Sequence, residues 1–353
     1  MTPSNPPSSL SPAQPPSGCP VSARLRQGPL QLSIQGLTWR GQPRVQQDAM
    51  LVDAAVYQHA NGCTAQANPA WPTVVAVADG LAHSPQSQQA SKALLALVLE
   101  SSMAMAGALD LPALQQQLSE RLGQNPALYG SSCTLAAVVL LEDRAVIQHV
   151  GDSRVYHWSA AQRSWRQCTQ DHSVIHRMIE QGEVPASAAA DCGTLYQGLD
   201  LCFVVDPLEH LPNLRPHTLM PQAGDFLLLC TDGVHDLVAA AHWPAPDEGD
   251  SLKAFLLQLR RQVYAASAYD NGTAVLVRFE APPHTKTLIP DNILEESWPI
   301  PADPANLLAY LPERYRACLS LNDLLDIAHR VGTQSPALLT CALKQFLWSR
   351  RQP

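Results

Sequence analysis

The sequence predicts an α+β fold in which two packed β-sheets are flanked by α-helices. Short runs of Val, Leu and Ile are apolar on both faces, so each strand needs a packed layer above and below it. Helical stretches do not alternate strictly with these runs, and the repeated βαβ pattern of a doubly wound parallel sheet is missing. With 353 residues, the chain has room for one large domain with additions or for two smaller domains.

The first ordered element is predicted near Leu30. The first 20 residues contain seven Pro and five Ser and almost no large apolar side chain, so a disordered arm is predicted over residues 1–25. Leu30, Leu32 and Ile34 then alternate with polar residues, as in a half-buried strand. Further strands, all short and rich in Val, Leu and Ile, are predicted over residues 49–57, 73–78, 134–141, 145–150, 154–158, 226–230 and 273–279.

Helices are predicted between these strands, over residues 87–106, 112–122, 172–181 and 251–266. Six prolines from position 282 to position 304 then indicate an irregular linker over residues 281–304. Beyond the linker, Ser320 is placed to cap one helix, and Ser335 with Pro336 to open a second. Residues 305–353 are therefore predicted to form a helical hairpin that extends the chain after the main domain.

The composition argues against several classes of partner. A formal net charge of −8 leaves no broad basic surface for a nucleic-acid backbone. No segment approaches the roughly 18 uninterrupted apolar residues of a membrane span, and the first residues lack the basic and apolar parts of a secretory signal. The nine cysteines are odd in number and include no Cys-x-x-Cys pair, which favours reduced thiols. We therefore expect a cytoplasmic protein.

Four aspartates stand at the ends of apolar runs, each in a short signature. They are Asp48 in Arg44-Val-Gln-Gln-Asp48, Asp79 in Val-Ala-Val-Ala-Asp79-Gly80, Asp232 in Leu-Leu-Leu-Cys-Thr-Asp232-Gly233, and Asp270 in Asp270-Asn271-Gly-Thr-Ala-Val. Carboxylates that converge at the tips of buried strands repel one another and raise their pKa values unless a cation neutralises them. Because these candidate ligands are oxygen atoms alone, a hard ion, Mg²⁺ or Mn²⁺, is favoured over zinc.

Six signatures in this order resemble those of the metal-dependent protein phosphatases of the protein phosphatase 2C family, bacterial type. They are Arg44-x-x-Gln-Asp48, Val-Ala-Asp79-Gly80, His149-Val-Gly-Asp152-Ser-Arg154, Thr169-Gln-Asp171-His172-Ser173, the run from Gly224-Asp225 to Asp232-Gly233, and Asp270-Asn271. The resemblance covers residues 30–279. It implies a phosphatase domain over residues 26–280, built as a β-sandwich of two mainly antiparallel sheets between helical layers.

The resemblance also implies an activity, the hydrolysis of phosphoserine and phosphothreonine. A hydroxide that bridges two Mn²⁺ or Mg²⁺ ions would attack phosphorus in line, and the cations would neutralise charge on the phosphoryl oxygens. The implied partners are phosphoproteins modified by a serine/threonine kinase. The oligomeric state is not predicted.

By position, the resemblance assigns metal ligands. Asp79 would bridge both ions, and the carbonyl of Gly80 would bind the second ion. Asp232 and Asp270 would supply the remaining carboxylates of the first ion.

Three further roles are implied by position. Asp48 would act in the outer sphere, through metal-bound water. Arg44 would bind the substrate phosphate, a role that suits the planar fork of donors in its guanidinium. Asp152 and Asp236 match positions that hold a third, weaker ion in some relatives.

The chain also departs from the family pattern. Gln47 stands where many relatives have Glu and others Gln, so looser binding of the second metal is expected. The segment after Asp79 reads Gly80-Leu81-Ala82-His83-Ser84 and lacks two glycines of the pattern. Leu81 occupies the place of a histidine that is a candidate general acid in some relatives, which leaves a metal-bound water, the third-ion site or His83 to protonate the leaving group. A basic residue expected near a Leu-Gly pair is absent from Leu195-Tyr-Gln-Gly-Leu199.

Two other functions stay open. A catalytically weak or inactive protein of the same fold would use the loop from Leu81 to Ser84, or the C-terminal hairpin, to bind a partner. Alternatively, the same site would act on a small phosphorylated molecule. For several polar residues a structural role is expected: Asp171 as the cap of a helix that begins at His172, His149 at a strand end, and Asp152 as a possible ion-pair partner of Arg154.

Overall fold

A computed structural model of the protein describes residues 30–102, 107–185, 187, 198–246 and 251–281. The arm predicted over residues 1–25 and the hairpin predicted over residues 305–353 lie outside the described residues. The same holds for the linker from residue 282 onward, so the predicted division of the chain into these parts stays a proposal.

The strands are β1 (Gln31–Trp39), β2 (Ala49–Val52), β3 (Ala55–Tyr57), β4 (Asn61–Cys63), β5 (Thr73–Ala78), β6 (Ser132–Cys133), β7 (Leu135–Leu141), β8 (Arg144–Val150), β9 (Arg154–Ser159), β10 (Ser164–Gln167), β11 (Phe203–Val204), β12 (His217–Leu219), β13 (Phe226–Cys230) and β14 (Gly272–Glu280). The α-helices are α1 (Ser87–Ser102), α2 (Leu111–Leu122), α3 (Val174–Glu180), α4 (Asp232–His235) and α5 (Leu252–Ala265). Within the described ranges, two short 3₁₀ turns span Pro126–Leu128 and Ala240–His242.

Two six-stranded sheets form the body of the protein. The first sheet has the order β10-β9-β13-β14-β1-β4 and the second the order β12-β8-β7-β5-β2-β3, while β11 and β6 form a separate pair. The pairings within both large sheets are antiparallel, and β13 and β14 of the first sheet contact β5 of the second. The predicted α+β class with two antiparallel sheets and outer helices is confirmed.

Side chains of the central strands alternate between two hydrophobic layers, as the period of a strand requires. In β14, Val275 and Val277 point between the two sheets, whereas Ala274 and Leu276 face the cluster that includes α5. The outer face of the second sheet packs against α1 and α2, as that of the first sheet packs against α5. Burial on both faces explains why these strands are apolar without interruption.

Two local predictions are wrong. The strand predicted over residues 49–57 is a hairpin of β2 and β3, because Asp53 and Ala54 have φ angles of 52° and 55° and turn the chain back. The helix predicted to begin at His172 begins at Val174, and Ser173 caps it by accepting from the N–H of His176.

Asp171 therefore does not cap the helix. It forms a bidentate ion pair with Arg154, with contacts of 2.8 and 2.6 Å from Nε and Nη2. The pairing of Asp152 with Arg154 considered from the sequence is not observed, since Arg154 uses these donors on Asp171.

None of the described helices combines the length and the apolarity that crossing a bilayer requires.

Candidate active site

Each large sheet contributes two aspartates to one site. Asp48 precedes β2 and Asp79 follows β5, and the antiparallel register Ala49↔Ala78 places these two aspartates side by side. Asp232 follows β13 and Asp270 precedes β14, which are likewise antiparallel neighbours. Packing of the sheets brings both pairs together into what we call the carboxylate cluster, Asp48, Asp79, Asp232 and Asp270.

Contacts within the cluster are close. The Asp79 carboxyl lies within hydrogen-bonding reach of the carboxyls of both Asp48 and Asp232. Burial, followed by the negative charges of Asp232 and Asp48, raises the pKa of Asp79 well above its ordinary value. Burial and the charges of Asp270 and Asp48 raise the pKa of Asp232 to about 7, against the hydrogen bond to Asp79 that lowers it. Asp79 and Asp232 keep some solvent contact. Loss of hydration is nevertheless the largest cause of the rise in both pKa values, because protein atoms surround both carboxyls.

Asp48 is completely buried and is held by hydroxyl groups. Its Oδ2 accepts from Oγ1 of Thr231 at 2.9 Å, and the same Oγ1 accepts from the N–H of Thr273 at 3.0 Å. Burial raises the pKa of Asp48 to about 6, although hydrogen bonds from Asp79, Thr231 and Thr273 lower it. The two threonines thus favour an ionised Asp48 at neutral pH.

The backbone around Asp79 is fixed from two sides. The N–H of Asp79 donates to Oγ1 of Thr134 at 3.1 Å, and the carbonyl of Asp79 accepts from the N–H of Thr134 at 2.8 Å. The next residue, Gly80, is buried, and a Cβ at Gly80 would lie 2.8 Å from the backbone of Ser87 at the start of α1. This close approach of α1 explains why a glycine follows the aspartate.

The proposed third-ion residues lie next to the cluster. Burial and the charge of Asp232 raise the pKa of Asp152 to about 7. His235, which is buried, connects the two residues: its Nε2 donates to the carbonyl of Asp152 at 3.1 Å, and its Nδ1 lies 3.0 Å from Oδ1 of Asp236. Burial opposes ionisation of Asp236, but His235 and Arg154 outweigh it and lower the pKa of Asp236.

Arg44 lies on the loop between β1 and β2, four residues before Asp48, and is exposed. Within the described part of the chain its guanidinium makes no hydrogen bond or ion pair. Gln47, between Arg44 and Asp48, donates from Nε2 to Oγ of Ser87 at 2.5 Å, so the amide is anchored to α1. His83 is exposed on the turn between β5 and α1.

The oxygen atoms of the cluster fit a hard divalent cation. Oδ1 of Asp48 and Oδ1 of Asp232 are buried without an N–H or hydroxyl donor among the described residues. In the same ranges no three His, Cys, Asp or Glu side chains form a compact cage of metal ligands, and the carboxyls contact each other in pairs through Asp79. Carboxyl oxygens in such contact need a shared proton or a cation between them, and an all-oxygen donor set suits Mg²⁺ or Mn²⁺.

Several supporting residues were missed by sequence reasoning. Thr231 donates to Asp48, and the N–H of Thr273 donates to the Thr231 hydroxyl. Asn271 holds the loop that carries Arg44, and His235 joins Asp152 to Asp236. Thr231 directly precedes Asp232, and Asn271 directly follows Asp270. This adjacency in the sequence is the signal that could have identified them as supporting residues.

The His149 and His172 pair is another structural support near the site. Their rings stack with centroids 4.5 Å apart, and Nδ1 of His172 accepts from the N–H of Gly151 at 3.1 Å. Burial and the neighbouring His149 lower the pKa of His172 to about 4, so it is neutral at pH 7 and can keep this acceptor role. The pair thereby fixes the turn that carries Asp152.

The sequence profile of the family described as protein phosphatase 2C matches residues 41–267, well over half of the chain. The chain belongs to the protein phosphatase 2C family. The matched region contains Arg44 and the first three members of the carboxylate cluster, and Asp270 follows its end by three residues.

Two relatives with curated names are bacterial phosphatases. Protein phosphatase PhpP of Streptococcus pneumoniae is 24% identical over 131 residues, which is 36% of this chain and 50% of that protein. Serine/threonine phosphatase stp of Listeria innocua is 26% identical over 179 residues, 48% of this chain and 69% of that protein. The chain thus spans about half the length of the first of these relatives.

Solved structures agree on the fold. The serine/threonine phosphatase PstP of Mycobacterium tuberculosis superposes with a TM-score of 0.54 at 20% identity, covering 71% of this chain and all of that one. A structure of the PstP catalytic domain in complex with two manganese ions gives a TM-score of 0.52 at 20% identity, with 71% and 99% coverage. Both structures therefore share the fold of this chain.

Proposed function

We propose that this protein is a Mn²⁺- or Mg²⁺-dependent phosphatase that hydrolyses phosphoserine and phosphothreonine in proteins. The observation that carries the proposal is the convergence of Asp48, Asp79, Asp232 and Asp270 from four distant segments. Burial and the negative charges of neighbouring aspartates raise the pKa values of Asp48, Asp79 and Asp232. Membership of the protein phosphatase 2C family supports the same reaction.

In this proposal the cations are held by Asp79, Asp232, Asp270 and the carbonyl of Gly80. Divalent cations at such a site make water a stronger nucleophile at neutral pH and neutralise charge on the phosphoryl group. Oδ1 of Asp48, which has no N–H or hydroxyl donor among the described residues, is available to accept a hydrogen bond from the attacking water and orient it.

The exposed guanidinium of Arg44 would bind the substrate phosphate, and we call it the phosphate clamp. It can offer two parallel N–H donors to two phosphate oxygens. Leu81 leaves no histidine directly after Gly80. Proton donation to the leaving group would then fall to a metal-bound water, to the third-ion site that Asp152 and Asp236 would form, or to His83.

Activity measurements test the proposal. Wild-type protein with Mn²⁺ should hydrolyse a phosphoserine peptide and p-nitrophenyl phosphate. Asp79→Asn and Asp232→Asn should each lower kcat by about 10²-fold or more, because each removes a principal electrostatic element of the site. Asp143→Asn, on the exposed turn between β7 and β8, is the matched control and should keep wild-type activity.

The same assay separates the competing functions. A binding protein that kept the fold would fail on both substrates in the presence of Mn²⁺. An enzyme for small metabolites would act on p-nitrophenyl phosphate but would be slow on phosphopeptides. We further propose that the substrates are phosphoproteins modified by a serine/threonine kinase, and that the protein acts in the cytoplasm.

A further inference from the structure

The side chain of Asn271 makes all its hydrogen bonds to one loop, residues 40–47. Asn271 lies between Asp270 and β14 and is 1% exposed. Its Oδ1 accepts from the N–H of Gln47 at 2.7 Å, and its Nδ2 donates to the carbonyls of Arg40 at 2.7 Å and Val45 at 3.2 Å. A buried amide is costly unless such bonds are made, so the side chain and the loop fix each other.

The loop held in this way, residues 40–47, is neither strand nor helix and carries the exposed Arg44. Gly41 has a φ angle of 64°, and a Cβ there would overlap the carbonyl oxygen of Asp270. Only glycine permits this approach. The contact continues through Gln42, whose N–H donates to the carbonyl of Ala268 at 3.2 Å and whose Nε2 donates to the carbonyl of Ser267 at 3.2 Å.

We propose that Asn271 is a positioning residue that holds Arg44 in place for the substrate phosphate. The inference rests on the proposed function. The three hydrogen bonds reach the backbone on both sides of Arg44, and they leave its side chain exposed. Without these three bonds the loop would sample more conformations around Arg44, and substrate binding would be weakened by the cost of ordering it.

The position of Asn271 also has a consequence for the whole site. The residue before it, Asp270, is a proposed metal ligand, and the residue it acts on binds phosphate. The dipeptide Asp270-Asn271 therefore sets the distance between the Arg44 guanidinium and the carboxylate cluster. This role differs from simple stabilisation, because it predicts that Asn271 acts through Arg44.

A double-mutant cycle tests this with Asn271→Ala, Arg44→Ala and the double variant, all assayed with Mn²⁺ on a phosphoserine peptide. Asn271→Ala should lower kcat/KM by about 10- to 100-fold, mainly through a higher KM, because the clamp is misplaced rather than lost. The double variant should be no worse than Arg44→Ala, to within about twofold. Calorimetric titration should give Asn271→Ala the same Mn²⁺ affinity as wild type.

Gln115→Ala is the matched control. Gln115 is also a buried amide, 2% exposed, and it holds Val204 by donating from Nε2 at 2.7 Å and accepting at Oε1 at 3.1 Å. Its loss should lower the midpoint of thermal unfolding while leaving kcat/KM unchanged, with or without Arg44→Ala.

Three results would overturn the inference: effects of Asn271→Ala and Arg44→Ala that multiply, a loss of Mn²⁺ affinity in Asn271→Ala, or failure of both Asn271→Ala and Asn271→Ser to fold. Inactive wild type would count instead against the proposed function. The double-mutant cycle is then measured as the affinity of the Mn²⁺-loaded variants for inorganic phosphate. The double variant should again bind no more weakly than Arg44→Ala, and effects of the two substitutions that multiply would overturn the inference.

Discussion

Asp79 is the side chain on which the carboxylate cluster depends. It lies within hydrogen-bonding reach of both Asp48 and Asp232, and burial, followed by the charges of these neighbours, raises its pKa. Ionising all of these groups in one place is unfavourable unless positive charge compensates. Replacing Asp79 by an amide should therefore help the metal-free fold at the same time as it destroys metal binding.

We predict that Asp79→Asn unfolds at a higher temperature than wild type at pH 7.5 when divalent cations are removed by a chelator. A carboxyl whose pKa is raised in the folded state stabilises the protein at low pH, and this stability is lost as pH rises through the folded pKa. In wild type the loss should begin near pH 4 and continue to pH 7 and above. The pKa values of Asp48 and Asp232 are raised to about 6 and about 7, and that of Asp79 is raised well above its ordinary value.

The advantage of Asp79→Asn should shrink as the pH falls from 7.5 to 5. The lowered pKa values of His149 and His172 act in the opposite direction, but they are common to both proteins and cancel in the comparison. Asp143→Asn, at an exposed position, should show no such trend. An Asp79→Asn protein that is less stable than wild type at pH 7.5 would contradict this account of the cluster.

At this scale the sequence predicts the charged residues of the site but few of their supports. Asp79 and Asp232 are visible because each ends an apolar run. Thr231 and Asn271 act through hydrogen bonds to segments roughly 180 and 220 residues away, and only the assembled fold reveals such partners.

Among the elements, strands buried on both faces are the most predictable. The predicted ranges of β5 and β13 coincide with the observed strands, because uninterrupted apolar runs of five or six residues leave little choice. The short strands β4, β10, β11 and β12 lie at sheet edges or in the small pair, where the apolar signal is weak. Helix α4, with four residues, is too short to show a helical period.

The contact between α1 and the Asp79 loop leads to a prediction about Gly80. In Gly80→Ala the added methyl group would meet the backbone of Ser87, so the start of α1 must shift. Overpacking of this kind costs roughly 1 to 3 kcal/mol, which urea unfolding would measure. Because Gln47 is anchored to the same Ser87, Mn²⁺-dependent activity should fall as well.

Gly107→Ala serves as the control for Gly80→Ala, since a Cβ at Gly107 has no atom of the described residues within 4 Å. It should match wild type in both stability and activity. Equal behaviour of the two variants would show that the approach of α1 to the Asp79 loop is not needed for the site.

At the scale of the whole molecule, the site exists only when the two sheets pack together. Asp48 and Asp79 belong to one sheet, and Asp232 and Asp270 belong to the other. The hydrophobic layer between the sheets, which includes Val75 and Val277, therefore also holds the carboxylates close to each other. Cation binding and folding are expected to stabilise each other through this arrangement.

The architecture could be predicted as two sheets with outer helices, because apolar faces on both sides of the strands demand four layers. The strand order could not be predicted, because β1 pairs with β14 and these segments lie about 240 residues apart in the sequence. Resemblance to the protein phosphatase 2C family supplied the link from a set of aspartates to a single site.

The most direct test of the central claim is anomalous diffraction at the manganese edge from crystals of the wild-type protein grown with Mn²⁺. Two manganese peaks should lie at the carboxylate cluster, with Asp79 contacting both and Asp232 and Asp270 contacting one. Crystals of Asp79→Asn should lose at least one peak. A well-ordered wild-type structure without manganese at these side chains would contradict the account.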